Sequence, residues 1–587
     1  MLVHAAVSNT HLIQRAQQWI AGDVDEASKA ELKAVLDRGD EVDLADRMAG
    51  PLEFGTAGLR GVLGAGPNRM NRAVIIRTTA GLAAYLLANA PDARTRGVVV
   101  GYDGRRMSRE FAQETASVLA AAGIVAHLYP TLCTTPQSAW ATTELGAVAA
   151  VMVTASHNPP EYNGYKVYWS NGAQIIPPHD KGIAAAIDAV GPACDVPRLA
   201  VEEAVARKLV RHVPESVTTR YLQRIAALSL HSDGREGLKI VYTPMHGTGN
   251  ITARAALLQA GFNDVTTVPE QGAPDGEFPT VRFPNPEEAG ALDLATGLAL
   301  RSGADLVIAN DPDADRLAVC VPSRDRKSFV QLSGNQVGVL LGHYVIADHP
   351  KPLADRLVVT TIVSSPMLGV IAKANNVRYA ETLTGFKWIA NRAMELEKET
   401  GTTFVFGYEE ALGYTIGTVV RDKDGVGAAA VFAELAAHAR AQGRTVLDEL
   451  ERIYRRYGLY VSRQKSVVRK GIEGAAEIAA TMTRLRAHPP TEVDGLRVVA
   501  VNDYLTHERR THDGVVSRLT LPPSNVLAFE LEGGSRVVAR PSGTEPKIKY
   551  YFDLRVAVAD DELFEQAEKR ASARVAALEA AFVALAG

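Results

Sequence analysis

Apolar residues in this chain gather into short uninterrupted runs, and each run ends in a cluster of polar, turn-forming positions. RGVVVGYD (96–103), VAAVMVTA (148–155), LKIVYTP (238–244), ADLVIAND (304–311), LVVTTIV (357–363) and TTFVFGYE (402–409) have the length of buried strands rather than of helices. Ala- and Leu-rich stretches of helical spacing separate them, so the pattern predicts α/β layers with largely parallel or mixed sheets. Residues 9–49 carry helical spacing with many charges and predict a helical lead-in packed on the first domain. From about residue 456 the pattern changes: VVRKGIEGAAEIAATMTRL reads as helix, followed by the β-like runs LRVVAVNDYL, NVLAFELEGG, RVVARP and IKYYFDLRV and a terminal helix. This last segment predicts a separate α+β domain.

In open α/β sheets, ligands bind beyond the carboxyl ends of the strands. The turns at that position are GYDGRR, TASHNPP, TPMHGTG, NDPDADR and GYEEALGY, all polar, glycine-bearing or carboxylate-bearing. Several such turns can converge on one cleft.

Composition narrows the setting. At 587 residues the chain is too long for a single core, and length predicts three or four domains. Hydrophobic residues at 47% and charged residues at 22% are ordinary for a globular protein. A net charge of −4 gives no reason to expect nucleic acid or an anionic membrane as partner, so an anionic ligand must be held locally. The three cysteines, Cys133, Cys194 and Cys320, are too scattered for a disulfide framework or zinc site and read as small buried hydrophobes in a reducing compartment. No signal-peptide pattern or membrane-length apolar run stands out, and the expectation is a cytoplasmic protein. No short repeat or low-complexity linker is visible, which predicts packed domains.

NDPDADR places Asp311, Asp313 and Asp315 at alternate positions after a buried strand. Carboxylates crowded in this way repel one another, and a divalent cation is the simplest compensation. An EF-hand loop shares the alternation but needs Gly at its sixth and Glu at its twelfth position, where this chain has Arg316 and Pro322. Hard oxygen donors with open positions suit magnesium; a solvated acidic turn is the bland alternative. In RPSGTEPKIKYY, Arg540 offers a planar fork, Ser542 and Thr544 offer hydroxyls, Gly543 allows a turn presenting backbone N–H groups, and Lys547 adds charge, all suited to phosphate. A β-turn with a buried arginine is the competing reading. Glu409 and Glu410 of GYEEALGY are consecutive and point in divergent directions in most backbones, which suits a polyol better than chelation; an acidic helix start accounts for them equally well. Ser156 and His157 are neighbours, and in an extended chain neighbours face opposite ways, so adjacency in sequence does not by itself make a catalytic pair. The absence of GxSxG around Ser156 counts against an α/β-hydrolase.

TASHNPPEYNGYK, NDPDADR, GYEEALGY with the later RDKDG, and RPSGTEP stand in the order and spacing of the four signature loops of the α-D-phosphohexomutases. FGTAGLRG (54–61) resembles that family's first-domain arginine loop. The chain is similar to the family from about residue 45 to its end, and most to the phosphoglucomutase-2/phosphopentomutase branch through FGTAGLRG, TPMHGTG, TLTGFKWI and GYEEALGY. The resemblance implies three similar mixed-sheet α/β domains plus a C-terminal α+β domain around a central cleft. The boundaries expected are 1–214 with the phosphoserine loop, 215–331 with the metal loop, 332–455 with the sugar loop and 456–587 with the distal phosphate loop.

The resemblance also assigns roles. Ser156 matches the serine that carries the transferable phosphoryl group, and Asp311, Asp313 and Asp315 match the Mg2+ ligands beside it. Arg316 completes that loop, Arg60 and His157 match residues near the reacting phosphate, and Lys166 matches a lysine of the first domain's active-site segment. Lys423 of RDKDG matches a lysine that assists proton transfer or binds phosphate. Glu409 matches the carboxylate that holds sugar hydroxyls, Thr384 and Gly385 fall in the companion sugar loop, and Arg540, Ser542, Gly543 and Thr544 match the distal phosphate loop. The family commonly has Ser two residues after its first Glu; Ala411 here removes a hydroxyl donor and bears on sugar preference.

The implied reaction interconverts a sugar 1-phosphate and a sugar 6-phosphate through phosphoserine at Ser156 and a bisphosphate intermediate, with glucose phosphate favoured and glucose 1,6-bisphosphate as activator. Pentose and mannose phosphates are the alternatives within the family, and both His157 and Lys423 stand as candidate proton carriers. Outside it stand a magnesium-dependent sugar-phosphate hydrolase using the same serine and a non-catalytic sugar-phosphate sensor. The expected partners are small sugar phosphates alone, with the chain acting as monomer or homodimer.

Overall fold

The six apolar runs form strands because uninterrupted Val, Ile, Leu and Ala side chains can be buried on both faces of a sheet covered by helices. The computed structural model describes residues 2–53, 58–469, 471–542 and 547–587, with the side chains of 2–9 and 471–473 outside that description. It divides into two compact units, Met1–Leu332 with Gly413–His438 and Ser333–Leu412 with Ala439–Gly587.

The first unit holds two mixed sheets. In one, the order is Leu59–Val62, Tyr162–Trp169, Ala149–Val153, Val98–Tyr102, Ala126–Leu128 and Val210–His212. Val98–Tyr102 pairs parallel with both of its neighbours, while Tyr162–Trp169 is antiparallel to both of its own. The order in the other is Phe329–Gln331, Ala318–Pro322, Leu306–Ala309, Ile240–Thr243 and Val265–Thr267. Its central pairs, Ile240–Thr243 with Leu306–Ala309 and with Val265–Thr267, are parallel. All five residues of Ala149–Val153 and all four of Leu306–Ala309 are buried, so the segments that follow them start from fixed positions. The charged lead-in forms helices Leu2–Gly22, Glu26–Arg38 and Glu41–Arg47, packed on the first domain as expected: Ala16, Leu32, Val35, Leu44 and Met48 share a core with Ala65, and Trp19 packs on Ala73 and Ile76.

In the second unit Arg356–Thr361 pairs parallel with Arg378–Thr382 and Thr403–Glu409. The C-terminal sheet is antiparallel and runs Leu459–Val468, Lys547–Val556, Ser535–Pro541, Leu527–Leu531, Leu496–Asp503, Glu508–Thr511 and Val516–Arg518, with helix Phe564–Ala586 against it through Phe582. One expectation needs correction here. The segment read as helix from Val467 opens instead on the last residues of strand Leu459–Val468, and the helix is Gly471–Ala487. Ser462, Arg463, Gln464, Lys465 and Ser466 hid that strand from an apolar pattern, because it is half or fully solvated along this length.

Candidate active site

The site begins at the carboxyl end of Ala149–Val153. Thr154 Oγ1 donates to Asp103 Oδ2 at 2.6 Å and accepts from Ser156 N at 2.8 Å, which turns the chain sharply as it leaves the sheet. Ser156 takes up a left-handed conformation (φ 53°), uncommon for a residue with a Cβ and characteristic of strained functional turns. Adjacency in sequence left the pairing open, and this conformation settles it: Ser156 Oγ and His157 Nδ1 lie 3.1 Å apart.

Arg105 locks this turn. Its Nη2 donates to the carbonyls of Ser156 and Asn158 at 2.5 Å each, and its Nη1 donates to those of Pro159 and Tyr162 at 2.9 and 3.2 Å. The guanidinium is buried beside Asp103 (Nε to Oδ2 3.4 Å), and Asp103 also accepts from Ser108 Oγ at 2.6 Å. Sequence reasoning flagged GYDGRR as a turn but gave Arg105 no role.

The second sheet brings the carboxylates to the serine. Leu306–Ala309 ends just before Asp311, and Ser156 Oγ donates to Asp311 Oδ2 at 2.8 Å. Asp311 Oδ1 accepts from Arg316 N at 3.1 Å, and Ala314 at φ 57° folds the loop back on itself. Asp313 Oδ2 accepts from Thr135 Oγ1 at 2.6 Å and from Lys166 Nζ at 2.7 Å; the same ammonium reaches Asp315 Oδ2 at 2.9 Å. Lys423 Nζ lies 3.2 Å from Asp315 and 3.5 Å from Asp422, and Asp422 is itself held by Tyr168 Oη and Gln174 Nε2 at 2.7 Å each. Arg60 Nη1 donates to Asn158 Oδ1 at 2.8 Å. Ser156, His157, Arg60, Lys166, Asp311, Asp313, Asp315, Arg316 and Lys423 thus all belong to the first unit. Thr135, Asp422, Tyr168 and Gln174 were missed; their hydrogen bonds span far-apart segments that leave no local pattern.

Burial and mutual repulsion set the charges. Burial first, then the charges of Asp313 and Asp315, hold the Asp311 carboxyl well above the usual carboxylate range. Burial also raises Asp313 and Asp315, but Lys166, with Lys423 and Arg316 at Asp315, outweighs it and leaves both below their ordinary value. Burial, reinforced by the guanidiniums of Arg316 and Arg60, pushes His157 well below its ordinary value and keeps it neutral. Burial likewise lowers Arg60 to about 10.

The residues fit a hard divalent cation. Carboxylate oxygens of Asp311, Asp313 and Asp315 lie within 4.8 Å of one another, fully buried. Among the described residues, Asp313 Oδ1 and Asp315 Oδ1 have no hydrogen-bond partner, so each still has an oxygen to offer a metal.

The remaining expected residues lie in the second unit. Glu409 ends strand Thr403–Glu409 and is 9% exposed. Glu410 accepts from Ser364 Oγ at 3.0 Å, and Ala411 is half-buried. Thr384, whose Oγ1 is buried without a partner among the described residues, precedes Gly385, which at φ 114° caps the start of helix Phe386–Thr400. Arg540 stands opposite Lys549 between strands Ser535–Pro541 and Lys547–Val556, and Ser542 N donates to Lys547 O at 2.8 Å. Gly543, Thr544 and residues 54–57 of FGTAGLRG lie outside the described residues.

Comparison with known proteins identifies the family. Models of the phosphoglucomutase/phosphomannomutase α/β/α domains I, II and III match residues 51–192, 219–324 and 333–457. A probable phosphoribomutase of Schizosaccharomyces pombe is 37% identical over 569 residues, covering 94% of this chain and 95% of its own. A probable phosphomannomutase of Haemophilus influenzae is 42% identical over 492 residues (83% and 93%), and a phosphoglucomutase of Staphylococcus aureus is 37% identical over 545 (92% and 96%). The chain belongs to the phosphoglucomutase/phosphomannomutase family and is a phosphohexomutase. The family is magnesium-dependent, in keeping with the aspartate cluster.

Proposed function

We propose that this enzyme interconverts glucose 1-phosphate and glucose 6-phosphate through phosphoserine at Ser156 and a glucose 1,6-bisphosphate intermediate, which also serves as activator. The observation that carries the reading is the placement of Ser156 Oγ, 2.8 Å from Asp311 in a buried three-carboxylate cluster and 3.1 Å from a neutral histidine.

In the forward half-reaction the P–Oγ bond of phosphoserine breaks and a P–O bond to the sugar hydroxyl forms. His157, uncharged at the start, takes the hydroxyl proton and passes it to Ser156 Oγ, so that no proton is gained or lost. The bisphosphate then turns end for end, and its other phosphoryl group returns to Ser156 by the reverse steps. Lys423 is the less suitable carrier, because its ion pair with Asp315 favours the charged ammonium; it serves as a phosphate-binding cation, with Arg60 and Lys166. Asp311, Asp313 and Asp315 would hold Mg2+, which when bound neutralises charge developing on the phosphoryl oxygens. Glu409, Thr384 and Gly385 take the sugar hydroxyls, and Arg540, Ser542, Gly543 and Thr544 take the non-reacting phosphate. Such remote binding energy positions the reacting end.

Glucose is placed first because the Staphylococcus aureus relative, matched over 92% of this chain, is named a phosphoglucomutase. The names of other relatives keep ribose and mannose phosphates as alternatives, and Ala411 marks where the sugar contact differs. Comparing kcat/KM on glucose 1-phosphate, mannose 1-phosphate and deoxyribose 1-phosphate, with a catalytic amount of bisphosphate, tests the choice. Glucose 1-phosphate is expected to give the largest value; a tenfold advantage for either competitor overturns the assignment.

A further inference from the structure

Helix Thr135–Glu144 starts beside the aspartate loop, and its first residue has a hydroxyl to spare. Within a helix a threonine ordinarily gives its hydroxyl to the carbonyl four residues back, as Thr115 does to Phe111 O at 2.8 Å and Thr142 to Ser138 O at 3.0 Å. No helical carbonyl stands four positions before Thr135. Its hydroxyl goes instead to Asp313 Oδ2 at 2.6 Å, and its backbone N–H, one of the donors a helix start leaves without an intrahelical partner, goes to Asp313 O at 2.9 Å. Both side chains are buried. TPMHGTG holds the loop's main chain as well: Thr248 N donates to Pro312 O at 2.8 Å, and a Cβ on Gly247 would meet Pro312 Cα at 2.3 Å. With the backbone gripped at residues 312 and 313, the rotation of the Asp313 carboxylate is what its side-chain partners decide. Oδ2 receives Thr135 Oγ1 and Lys166 Nζ, the latter at 2.7 Å, while Oδ1 has no hydrogen-bond partner among the described residues. Lys166 also serves Asp315 at 2.9 Å, so the hydroxyl is the donor that Asp313 does not share with another aspartate.

We propose that Thr135 is a positioning residue of the cation site, its hydroxyl fixing the rotation of the Asp313 carboxylate so that Oδ1 is the oxygen offered to the metal. The inference rests on the reading of Asp311, Asp313 and Asp315 as the Mg2+ ligands. A donor that orients a ligand in this way typically governs metal affinity by about 10- to 100-fold.

The test is calorimetric titration of metal-stripped, full-length protein with Mg2+. Thr135→Val keeps the shape of the side chain and removes its hydroxyl; it should weaken Mg2+ binding by about tenfold or more, and Thr135→Ser should recover most of that loss. The Mg2+ concentration giving half-maximal turnover should rise in Thr135→Val by the same factor, while kcat at saturating Mg2+ returns to the parent's value. A role in helix packing alone would depress kcat at every Mg2+ concentration. Parent-like affinity in Thr135→Val, a loss that Thr135→Ser does not repair, or a kcat that excess Mg2+ leaves depressed overturns the role. Should Thr135→Val not fold, Thr135→Ala takes its place against Thr135→Ser with the same outcomes. Asp313→Asn separates the inference from its basis: Mg2+ bound as tightly as by the parent overturns the ligand assignment and the role of Thr135 with it. Loss of Mg2+ in Asp313→Asn but not in Thr135→Val overturns the role of Thr135 alone.

Discussion

At the scale of single residues, the balance among three aspartates and two lysines, Lys166 and Lys423, decides what the centre can hold. Asp311 has its carboxyl raised well above the ordinary value, first by burial and then by Asp313 and Asp315. A carboxyl raised in the fold contributes stability that is complete below its unfolded pKa and is lost as pH rises through the folded value. Metal ligands must be deprotonated, so a cation bound at this cluster expels that proton. Adding Mg2+ to metal-stripped protein in weakly buffered solution, between those two values, should release up to one proton per chain. Asp311→Asn should release none; equal release from both forms contradicts the assignment. The aspartates were legible in the sequence because all three sit within five consecutive residues after an apolar strand. The contact between Ser156 and His157 was not, since it depends on a left-handed φ that no hydrophobic pattern encodes.

At the scale of elements, the turn that carries Ser156 is held by Arg105, whose four donated bonds run to backbone carbonyls 51 to 57 residues away. Removing one partner of a buried ion pair costs about 3–5 kcal/mol, because the other is left uncompensated. Arg105→Met should therefore lower stability in urea by about that amount and depress turnover with it, and Arg105→Lys should recover little, since a single ammonium cannot replace a planar fork. A loss below about 1 kcal/mol contradicts the role given to it. Of the two strands flanking this turn, one was legible in the sequence and the other was not. Ala149–Val153, buried at every position, announces itself as an apolar run, whereas Tyr162–Trp169 mixes Asn, Gly and Lys among its aromatics and was not read as a strand. Lys166, buried in that strand, entered only through the family resemblance.

At the scale of the whole molecule, the described part of the phosphoryl-transfer machinery lies within one compact unit, and the proposal gives the other unit the sugar and the distal phosphate. Arg540→Ala should raise KM and lower kcat/KM by about 2–3 kcal/mol, roughly 30- to 150-fold, as expected for a charge-assisted phosphate contact. Parent-like kinetics would remove Arg540 from the substrate site. The most direct measurement of the central claim is to incubate the enzyme with glucose 1,6-bisphosphate labelled in its phosphoryl groups and map the label by peptide mass. The account predicts label on Ser156 that a sugar monophosphate discharges, and neither label nor isomerisation in Ser156→Ala; label on another residue, or turnover surviving in Ser156→Ala, would contradict it.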